Sequence, residues 1–288
     1  MSETMVMGPI VSALVKSEDI LGKNPNWRAV KDEQAIFIKD FFSRRHEIAI
    51  FFGKELRSWA SLVAAELNEV LQKEGFDIRL NDFGEKEFGV VSILNILVEW
   101  LEKGTKINLL VKGKRYPAIR LESGFEARES LKYSKSIAVL NTKSGDQVFM
   151  TVADRPYEGF ELISRIEEIS NGFMLNGSRY DSLTFPMVDL NHEVNIGWLK
   201  GMWTRDQKGD EFEISQALQQ TKFKMNEAGA RVKSAVALGV RFVAALPTRS
   251  FIIDKPFFLW IRRPGMSVPV IYAYIDEADW KDPGSLEM

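Results

Sequence analysis

Residues 226–240 read Asn-Glu-Ala-Gly-Ala-Arg-Val-Lys-Ser-Ala-Val-Ala-Leu-Gly-Val, a run in which small side chains dominate and bulky ones are few. Arg231 and Lys233 hold odd positions, and the even positions carry small or apolar residues at Ala230, Val232, Ser234 and Val236. Because successive side chains of an extended strand point to opposite faces, this alternation is typical of a half-buried strand. Composition alone also fits an ordinary core strand or helix, so the role of the run depends on its neighbours.

A second block follows at residues 251–262 and reads Phe-Ile-Ile-Asp-Lys-Pro-Phe-Phe-Leu-Trp-Ile-Arg. Aromatic and β-branched residues are dense in Phe251–Ile261 and again in Val268–Ile275, with Arg263-Pro264-Gly265 between them. Such runs separated by turn residues predict two strands joined by a short connection.

In this order the two blocks resemble the serpins. Glu227, Gly229 and Ala230 match the pattern that opens the hinge of the serpin reactive-centre loop: a glutamate, one residue, a glycine and a small residue. Residues 251–262 are similar to the C-terminal strand signature of the family, in which a Pro-Phe pair precedes apolar residues and a basic one. Farther on, Val270–Ile275 and Pro283 are similar to the closing strand and the terminal proline of serpins.

The resemblance extends upstream of the loop. Residues 183–188, Leu-Thr-Phe-Pro-Met-Val, followed by Ile196–Met202, are similar to the strand and helix that precede the loop in serpins. Ile93–Leu97 is similar to a central strand of the main serpin sheet. The match is best over residues 183–283 and looser before them.

The resemblance implies an α+β, serpin-like mixed fold, with N-terminal helices, large mainly antiparallel sheets and an exposed reactive-centre-type loop. We expect one domain over residues 1–288, in which residues 1–45 stay unassigned and residues 227–250 form the loop. The implied function is protease inhibition, with residues 230–246 presented as bait to a serine or cysteine protease and the cut loop then inserted into the main sheet.

The resemblance also indicates a bond for the protease to cut. Counting about sixteen residues on from Glu227, as the family's inserted loop implies, places it at Val243–Ala244 and favours an elastase-like protease with a small pocket. A loop shorter by one or two residues would expose Phe242 or Arg241 instead. In the hinge, the even residues can face inward while Arg231 and Lys233 point to solvent; a register that buried Lys233 would oppose insertion.

One departure from the family bears on the mechanism. Only 226 residues precede Glu227, fewer than in a serpin, so a block of N-terminal helices and edge strands is expected to be missing near residues 76–90. The alternative function is therefore a non-inhibitory serpin-fold binding or interaction protein whose loop is static or only a protease substrate. In either case we expect a monomer that can polymerise by loop-sheet pairing.

Composition argues against binding to nucleic acid or to membranes. The chain carries 38 basic and 40 acidic side chains, a formal charge of −2, which argues against binding to nucleic acid or an anionic membrane through net charge. The basic cluster Lys112, Lys114 and Arg115 lacks interleaved stacking aromatics. No apolar run reaches the roughly 18 residues of a membrane span. We expect neither a nucleic-acid nor a membrane partner.

The chain has no cysteine and two histidines, His46 and His192. Disulfides, thiolate metal sites and cysteine nucleophiles are excluded, and a histidine base has only two candidates. The second histidine of a His-Glu-x-x-His zinc motif would fall at Ile196. We expect no catalytic residue, metal or cofactor; an enzyme on an unrelated mixed fold is a third hypothesis, which hydrolysis lost on substituting His192 would support. With no secretion signal recognised in Met5–Val15, a cytoplasmic location is expected.

Apolar spacing predicts helices on both sides of a strand-rich middle. Residues 54–74 carry apolar side chains at three- and four-residue steps and are followed by Gly75, so we predict one long helix there. A shorter helix is predicted to end at Asn171-Gly172, with Leu162, Ile163, Ile166 and Ile169 on one face. Strands are predicted at Ile107–Val111, Tyr116–Leu121, Ile137–Val152, Ser182–Leu190 and Gln219–Met225.

Overall fold

The structure is a computed structural model that describes residues 1–23, 25–85, 87–174, 180–230 and 249–286. In these residues the helices are α1 Met7–Lys16, α2 Glu18–Leu21, α3 Asp32–Asp40, α4 Arg45–Phe52, α5 Ala64–Lys73 and α6 Gly159–Asn171. The strands are β1 Glu3–Met5, β2 Leu56–Ser61, β3 Gly89–Leu94, β4 Val98–Glu99, β5 Thr105–Val111, β6 Lys114–Leu121, β7 Phe125–Ser130, β8 Tyr133–Asn141, β9 Gln147–Val152, β10 Ser182–Pro186, β11 Val188–Val194, β12 Trp203–Arg205, β13 Glu211–Glu213, β14 Gln219–Met225, β15 Gly229–Ala230, β16 Ser250–Ile252, β17 Phe257–Arg262 and β18 Ile271–Ile275. Among the helices of these ranges, none has the length and apolar character needed to span a bilayer.

The largest sheet has the strand order β1-β18-β17-β9-β8-β7, and its neighbours all run antiparallel. β17 lies inside it, and Phe257–Ile261 are all buried. Because both faces of the strand are covered, every position is apolar rather than every second one. Trp260 stacks on Phe149 with ring centroids 5.1 Å apart. The single strand predicted over Phe251–Ile261 is confirmed only in its second half, which is β17 and forms the centre of the core, whereas its first residues belong to β16 in a different sheet.

A four-stranded sheet has the order β16-β10-β6-β5. β16 runs parallel to β10, with Ser250 beside Ser182 and Phe251 beside Leu183, whereas β10 and β6 are antiparallel. A hydrogen bond of 2.9 Å joins the Ser182 and Ser250 hydroxyls. β16, the first strand after residues 231–248, is therefore bonded into this sheet through β10.

In the described part of the chain, six further strands form three separate two-stranded sheets rather than one continuous sheet. β2 pairs with β3, β11 with β14, and β4 with β15, each antiparallel. Each of β3 and β14 thus has a strand partner on one edge, and the described residues supply no strand along the other edge.

The N-terminal residues 1–45, which the sequence left unassigned, pack against the rest of the molecule. β1 extends the six-stranded sheet, where Glu3 lies opposite Tyr274. α1 buries one apolar face, including Ile10 and Val11, and contacts β2 and β3. This segment is therefore part of the core.

The single helix predicted over residues 54–74 is wrong in its first half. Residues 56–61 form β2, which pairs with β3 from Leu56 opposite Leu94 to Ser61 opposite Gly89, and α5 begins only at Ala64. Apolar residues at three- and four-residue steps also occur by chance in a short strand, and pairing with β3 decides the outcome. The predicted end is confirmed, since Gly75 has φ of 80° just after the last turn.

Most other predicted elements are confirmed. α6 ends at Asn171 and buries Leu162, Ile163, Ile166 and Ile169, and β14 has the bounds predicted for it. Residues 196–202, which resemble a serpin helix, contain a single 3-10 turn at Gly197–Leu199 instead.

Candidate functional site

The chain reverses direction at the predicted hinge, directly after β14. Asn226 and Gly229 close a tight turn through two backbone hydrogen bonds: the Asn226 N–H donates to the Gly229 carbonyl at 3.0 Å and the Gly229 N–H to the Asn226 carbonyl at 3.2 Å. The Asn226 side-chain oxygen also accepts from the Ala228 N–H at 2.9 Å. The indole N–H of Trp100 donates to the Asn226 carbonyl at 3.0 Å, so the turn is anchored to a buried aromatic.

After this turn, β15 lies against β4. Gly229 is opposite Glu99 and Ala230 is opposite Val98. The Trp100 N–H donates to the Ala228 carbonyl at 3.3 Å. β15 also contacts β14, the strand that precedes it in the chain. Two residues near the start of the predicted loop, Gly229 and Ala230, therefore form a short strand between β4 and β14.

Gly229 is required by the tight approach of these strands. Its φ is 137°, and a Cβ built on it would lie 2.5 Å from the Val98 carbonyl oxygen and 2.8 Å from the Glu99 Cα. Contacts of that length to backbone leave no room for any side chain, and the φ value disfavours every residue except glycine. The serpin-like glycine at this position thus has a local physical reason.

Glu227, the first residue of the hinge pattern, is held by its backbone and by charge. Its carbonyl accepts from the Gly104 N–H at 2.8 Å. Its carboxylate, only 14% exposed, forms ion pairs with Lys103 at 3.6 Å and Lys106 at 3.4 Å. Nζ of Lys106 also lies 3.1 Å from the Asp282 carboxylate. The hydrogen bond to Asp282 raises the pKa of the Lys106 ammonium, and the charge of Glu227 raises it further, whereas burial lowers it.

Below β15, a cavity of about 500 Å³ lies between β3 and β14. The two faces of β3 meet different neighbours. Val91 and Ile93 belong to a small apolar core with Leu67 and Leu71 of α5, while Ser92 bonds the Ser58 hydroxyl, which in turn lies 2.6 Å from that of Ser12 on α1. The cavity is thus covered by α5 and its following segment on one face and by α1 on the other.

The segment after α5, residues 76–83, contributes to the cavity lining and bonds both to α5 and to residues in and just before β14; we call it the strap. The strap has no helix or strand. Asn68 of α5 holds the middle of the strap, since its side chain both donates to the Leu80 carbonyl and accepts from the Leu80 N–H, at 2.9 and 2.8 Å.

Two glutamines fix the strap on the β14 side. The Gln220 side-chain oxygen accepts from the N–H groups of Asp77 and Ile78 at 2.8 and 3.3 Å. The Gln216 side chain accepts from the Asn81 N–H at 2.8 Å and donates to its carbonyl at 3.2 Å. The strap is therefore bonded both to α5 and to residues in and just before β14.

His192 lies away from the hinge. On β11, its Nε2 is 3.0 Å from the carboxylate of Asp279, which is 5% exposed. The described residues contain no group of three or more His, Asp or Glu side chains that could hold a metal ion. The predictions of no catalytic residue and no metal stay predictions.

The structure brings together only part of the predicted site. Glu227, Gly229 and Ala230 lie together in and just after the turn that follows β14, and Ala230 is opposite Val98, which lines the cavity. The remaining hinge residues Val232, Ser234 and Val236 and the candidate cleavage positions Arg241, Phe242, Val243 and Ala244 lie outside the described residues. Sequence reasoning missed Trp100, Lys103, Lys106, Gln216 and Gln220, since each acts through a partner distant in sequence.

Comparison with known proteins identifies the fold. No family model matches the chain, and no curated protein matches it. Similar solved structures include Serpin48 of the insect Tenebrio molitor, at 14% identity and a TM-score of 0.60 over 95% of this chain and 91% of that one. SRPN18 of Anopheles gambiae matches at 11% identity and a TM-score of 0.60, over 98% and 93% of the two chains. Thyroxine-binding globulin in complex with thyroxine matches at 12% identity and a TM-score of 0.58, over 98% and 93%.

These likenesses confirm the predicted fold class. The chain has a serpin-like α+β fold, with helices packed around several mainly antiparallel sheets.

Proposed function

We propose that this serpin-like chain is a protease inhibitor. It presents residues 230–246 as bait to a serine or cysteine protease and traps the enzyme when the cut loop inserts between β3 and β14. In this proposal the protein acts as a suicide substrate rather than as an enzyme.

The observation that supports the proposal best is the position of β15. Gly229 and Ala230 already lie between β4 and β14, beside Val98 of the cavity lining. The cavity is flanked by β3 and β14, and each of these strands has one edge without a strand partner in the described residues. Backbone N–H and C=O groups along such edges favour pairing with an added strand. Because β15 runs antiparallel to β4, a strand that continued past Ala230 would run down along β3.

The register of β15 on β4 predicts how the loop would insert. Continued without a break, it sets Ser234 opposite Leu94 and Ala235 opposite Ile93. Residues directly opposite one another share a face of the sheet. The even residues of the hinge would then face α1, as Ser92 does, while Ala235 would lie under α5 and the strap, where a small side chain fits.

The same register accounts for the charged residues of the hinge. Lys233 would lie opposite Asn95, which is exposed, so its ammonium would stay hydrated. Burial of an unpaired ammonium would cost several kcal/mol. In this register the alternation of the hinge is therefore compatible with insertion.

We propose Val243–Ala244 as the bond that is cut, with Arg241 and Phe242 as second choices. A small residue before the bond suits an elastase-like pocket, whereas Phe242 or Arg241 would suit a chymotrypsin-like or trypsin-like enzyme. The test is to mix the purified protein with elastase, chymotrypsin and trypsin in turn and to run each mixture on a denaturing gel. We expect an SDS-stable adduct larger by the mass of the protease, with the new chain end located by mass spectrometry. Cleavage in the loop without adduct would contradict the trapping mechanism.

The alternative, a non-inhibitory binding protein, is favoured by a different observation. The strap lines the cavity and is bonded to α5 by Asn68 and to residues in and just before β14 by Gln216 and Gln220. Insertion of a strand would have to move or pass beneath this segment. Clean cleavage by all three proteases, with no adduct, is the result expected of this alternative.

A further inference from the structure

The segment after β18, residues 276–286, runs from the six-stranded sheet to the hinge; we call it the clasp. Its first part is anchored deep in the protein. Trp280 is 2% exposed and meets the ring of Tyr116 edge-on, with ring centroids 5.1 Å apart. The carboxylate of Asp279 lies 3.0 Å from Nε2 of His192 on β11. The first part of the clasp is therefore fixed to the rest of the molecule.

The second part of the clasp reaches the hinge turn, residues 226–229. Nδ2 of Asn226 donates to the Gly284 carbonyl at 3.1 Å, while Oδ1 of the same side chain accepts from the Ala228 N–H inside the turn. Asn226 is 5% exposed, so losing the bond to Gly284 would leave a buried donor without a partner. One side chain thus connects the clasp to the hinge turn.

Two further contacts hold the second part of the clasp. Leu286 is 6% exposed and belongs to the cavity lining. Nζ of Lys106 lies between two carboxylates, 3.4 Å from that of Glu227 and 3.1 Å from that of Asp282. The Lys106 and Asp282 side chains are 48% and 41% exposed, and ion pairs exposed to that degree stabilise little. The buried contacts of Asn226 and Leu286 therefore contribute most.

The second part of the clasp can detach while the rest of the protein stays folded. Residues 280–286 contain no helix or strand, and Gly284 and Ser285 are exposed. Segments without regular structure and with exposed backbone open at a lower free energy than that of global unfolding. The buried Trp280 would stay in place during such an opening. Because Asn226 bonds to Gly284, each opening removes a contact from the hinge turn.

We propose that the clasp positions the hinge turn, so that its release frees Gly229 and Ala230 from β4 and lowers the fraction of attacking protease that is trapped. The first step follows from linkage, since a clasp that stabilises the turn is stabilised by the turn to the same extent. The second step rests on the proposed function. A loop whose first residues already lie between β4 and β14 inserts sooner, and insertion competes with escape of the protease.

Leu286→Asp tests the first step in the full chain without protease. A carboxylate at this buried apolar position should release the clasp. Exchange of the Gly229 amide, which donates to the Asn226 carbonyl, should then quicken about tenfold, the equivalent of one hydrogen bond. Leu131→Asp is the control, because it adds the same charge at a residue that is 78% exposed. Exchange of the Trp260 amide inside β17 should stay slow in both variants.

The exchange experiment has two outcomes that would overturn the proposal. Unchanged exchange at Gly229 in Leu286→Asp would show that the clasp does not hold the hinge turn. Equal acceleration at Gly229 and Trp260 would show that the whole protein, rather than the clasp, has been loosened.

The reverse direction uses the absence of cysteine from the chain. In Leu286→Cys the only thiol reports how often the clasp opens, because a buried thiol reacts with an aromatic disulfide reagent only when it is exposed. Adding Asn226→Asp keeps the acceptor for the Ala228 N–H but removes the donor to Gly284, so labelling should quicken about tenfold. Asn195→Asp is the matched control, since its Oδ1 likewise accepts from the N–H two residues on. Equal labelling rates with Asn226→Asp and with Asn195→Asp would overturn the coupling.

The second step is measured with elastase on a denaturing gel. Leu286→Asp should at least halve the ratio of SDS-stable adduct to cleaved product, whereas Leu131→Asp should keep the ratio of the unaltered protein. An unchanged ratio in Leu286→Asp would overturn the role of the clasp in trapping. If the unaltered protein forms no adduct, the proposed inhibition fails, and the exchange and labelling rates still decide whether the clasp holds the hinge turn.

Discussion

The α-carbon of Gly229 lies so close to the carbonyl oxygen of Val98 that a Cβ on Gly229 would stand 2.5 Å from that oxygen. Only a glycine at this position lets β15 pair this closely with β4.

Gly229→Ala should destabilise the protein by about 2 kcal/mol or more, because it combines a disfavoured φ with a clash against backbone. Gly113→Ala is the matched control: its φ is 81°, but a Cβ there has no atom within 4 Å, so only the backbone cost of about 1 kcal/mol remains. Urea unfolding of both variants measures the difference. Equal losses would show that β15 does not approach β4 this closely.

Ala230→Arg should abolish adduct formation while the loop is still cut. Ala230 is opposite Val98, which is 1% exposed, and insertion would carry the arginine into the sheet at a cost of several kcal/mol. Adduct and cleaved product are quantified on the same denaturing gel. Arg231→Ala, one residue on and on the other face, should leave trapping intact. Unchanged inhibition by Ala230→Arg would rule out insertion along β4.

Gln220→Leu should loosen the strap. The Gln220 side chain accepts from the N–H groups of Asp77 and Ile78, so hydrogen exchange at those two amides should quicken about tenfold, the equivalent of one lost hydrogen bond. Gln72→Leu, at an exposed position on α5, serves as the control. Exchange that is equally slow in both variants would mean that other contacts hold the strap.

Asp282 should make the hinge region sensitive to acid. A hydrogen bond from the Gly284 N–H lowers the pKa of this carboxyl group, and the Lys106 ammonium adds to the effect. A carboxyl with a lower pKa in the folded state stabilises the protein above the ordinary aspartate value of about 3.9, and that stability is lost as the pH falls. Asp282→Asn should therefore lower stability at pH 7 and flatten its decline between about pH 5 and 3, as followed by urea unfolding. A parallel decline in both proteins would contradict this role.

Mild heating should convert the protein into ladders on native gels. The edges of β3 and β14 that have no strand partner in the described residues can accept a strand from a second copy as readily as from their own chain. The ladder should depend on concentration and fade on tenfold dilution before heating. A sample that stays monomeric after heating at high concentration would contradict the expectation that the edges of β3 and β14 can accept a strand from a second copy.

The sequence pattern predicted those elements whose structure depends on residues close to them in the chain. β17 could be recognised because Phe257–Ile261 are apolar at every position, as a strand covered on both faces must be. The hinge could be recognised from Glu227 and Gly229, and the approach to Val98 now explains the glycine. Residues 56–61 were misassigned because their spacing also fits a helix, and only the distant β3 makes them a strand.

The parts of the site that sequence could not supply depend on long-range pairs. Gln216 and Gln220 bond to residues of the strap that lie 135 to 143 positions earlier, and Trp100 bonds to Asn226, 126 positions later. A glutamine or a tryptophan carries no local signal for such a partner. The bond to be cut, the target protease and the single-domain organisation of residues 1–288 stay predictions.

The burial of β17 between β18 and β9 determines what proteolysis would leave behind. A cut at Val243–Ala244 would separate Ala244 and the residues after it from the rest of the chain, but β16 would remain bonded to β10 and β17 would remain in the middle of its sheet. The two sides of the cut would therefore stay together until the protein is denatured.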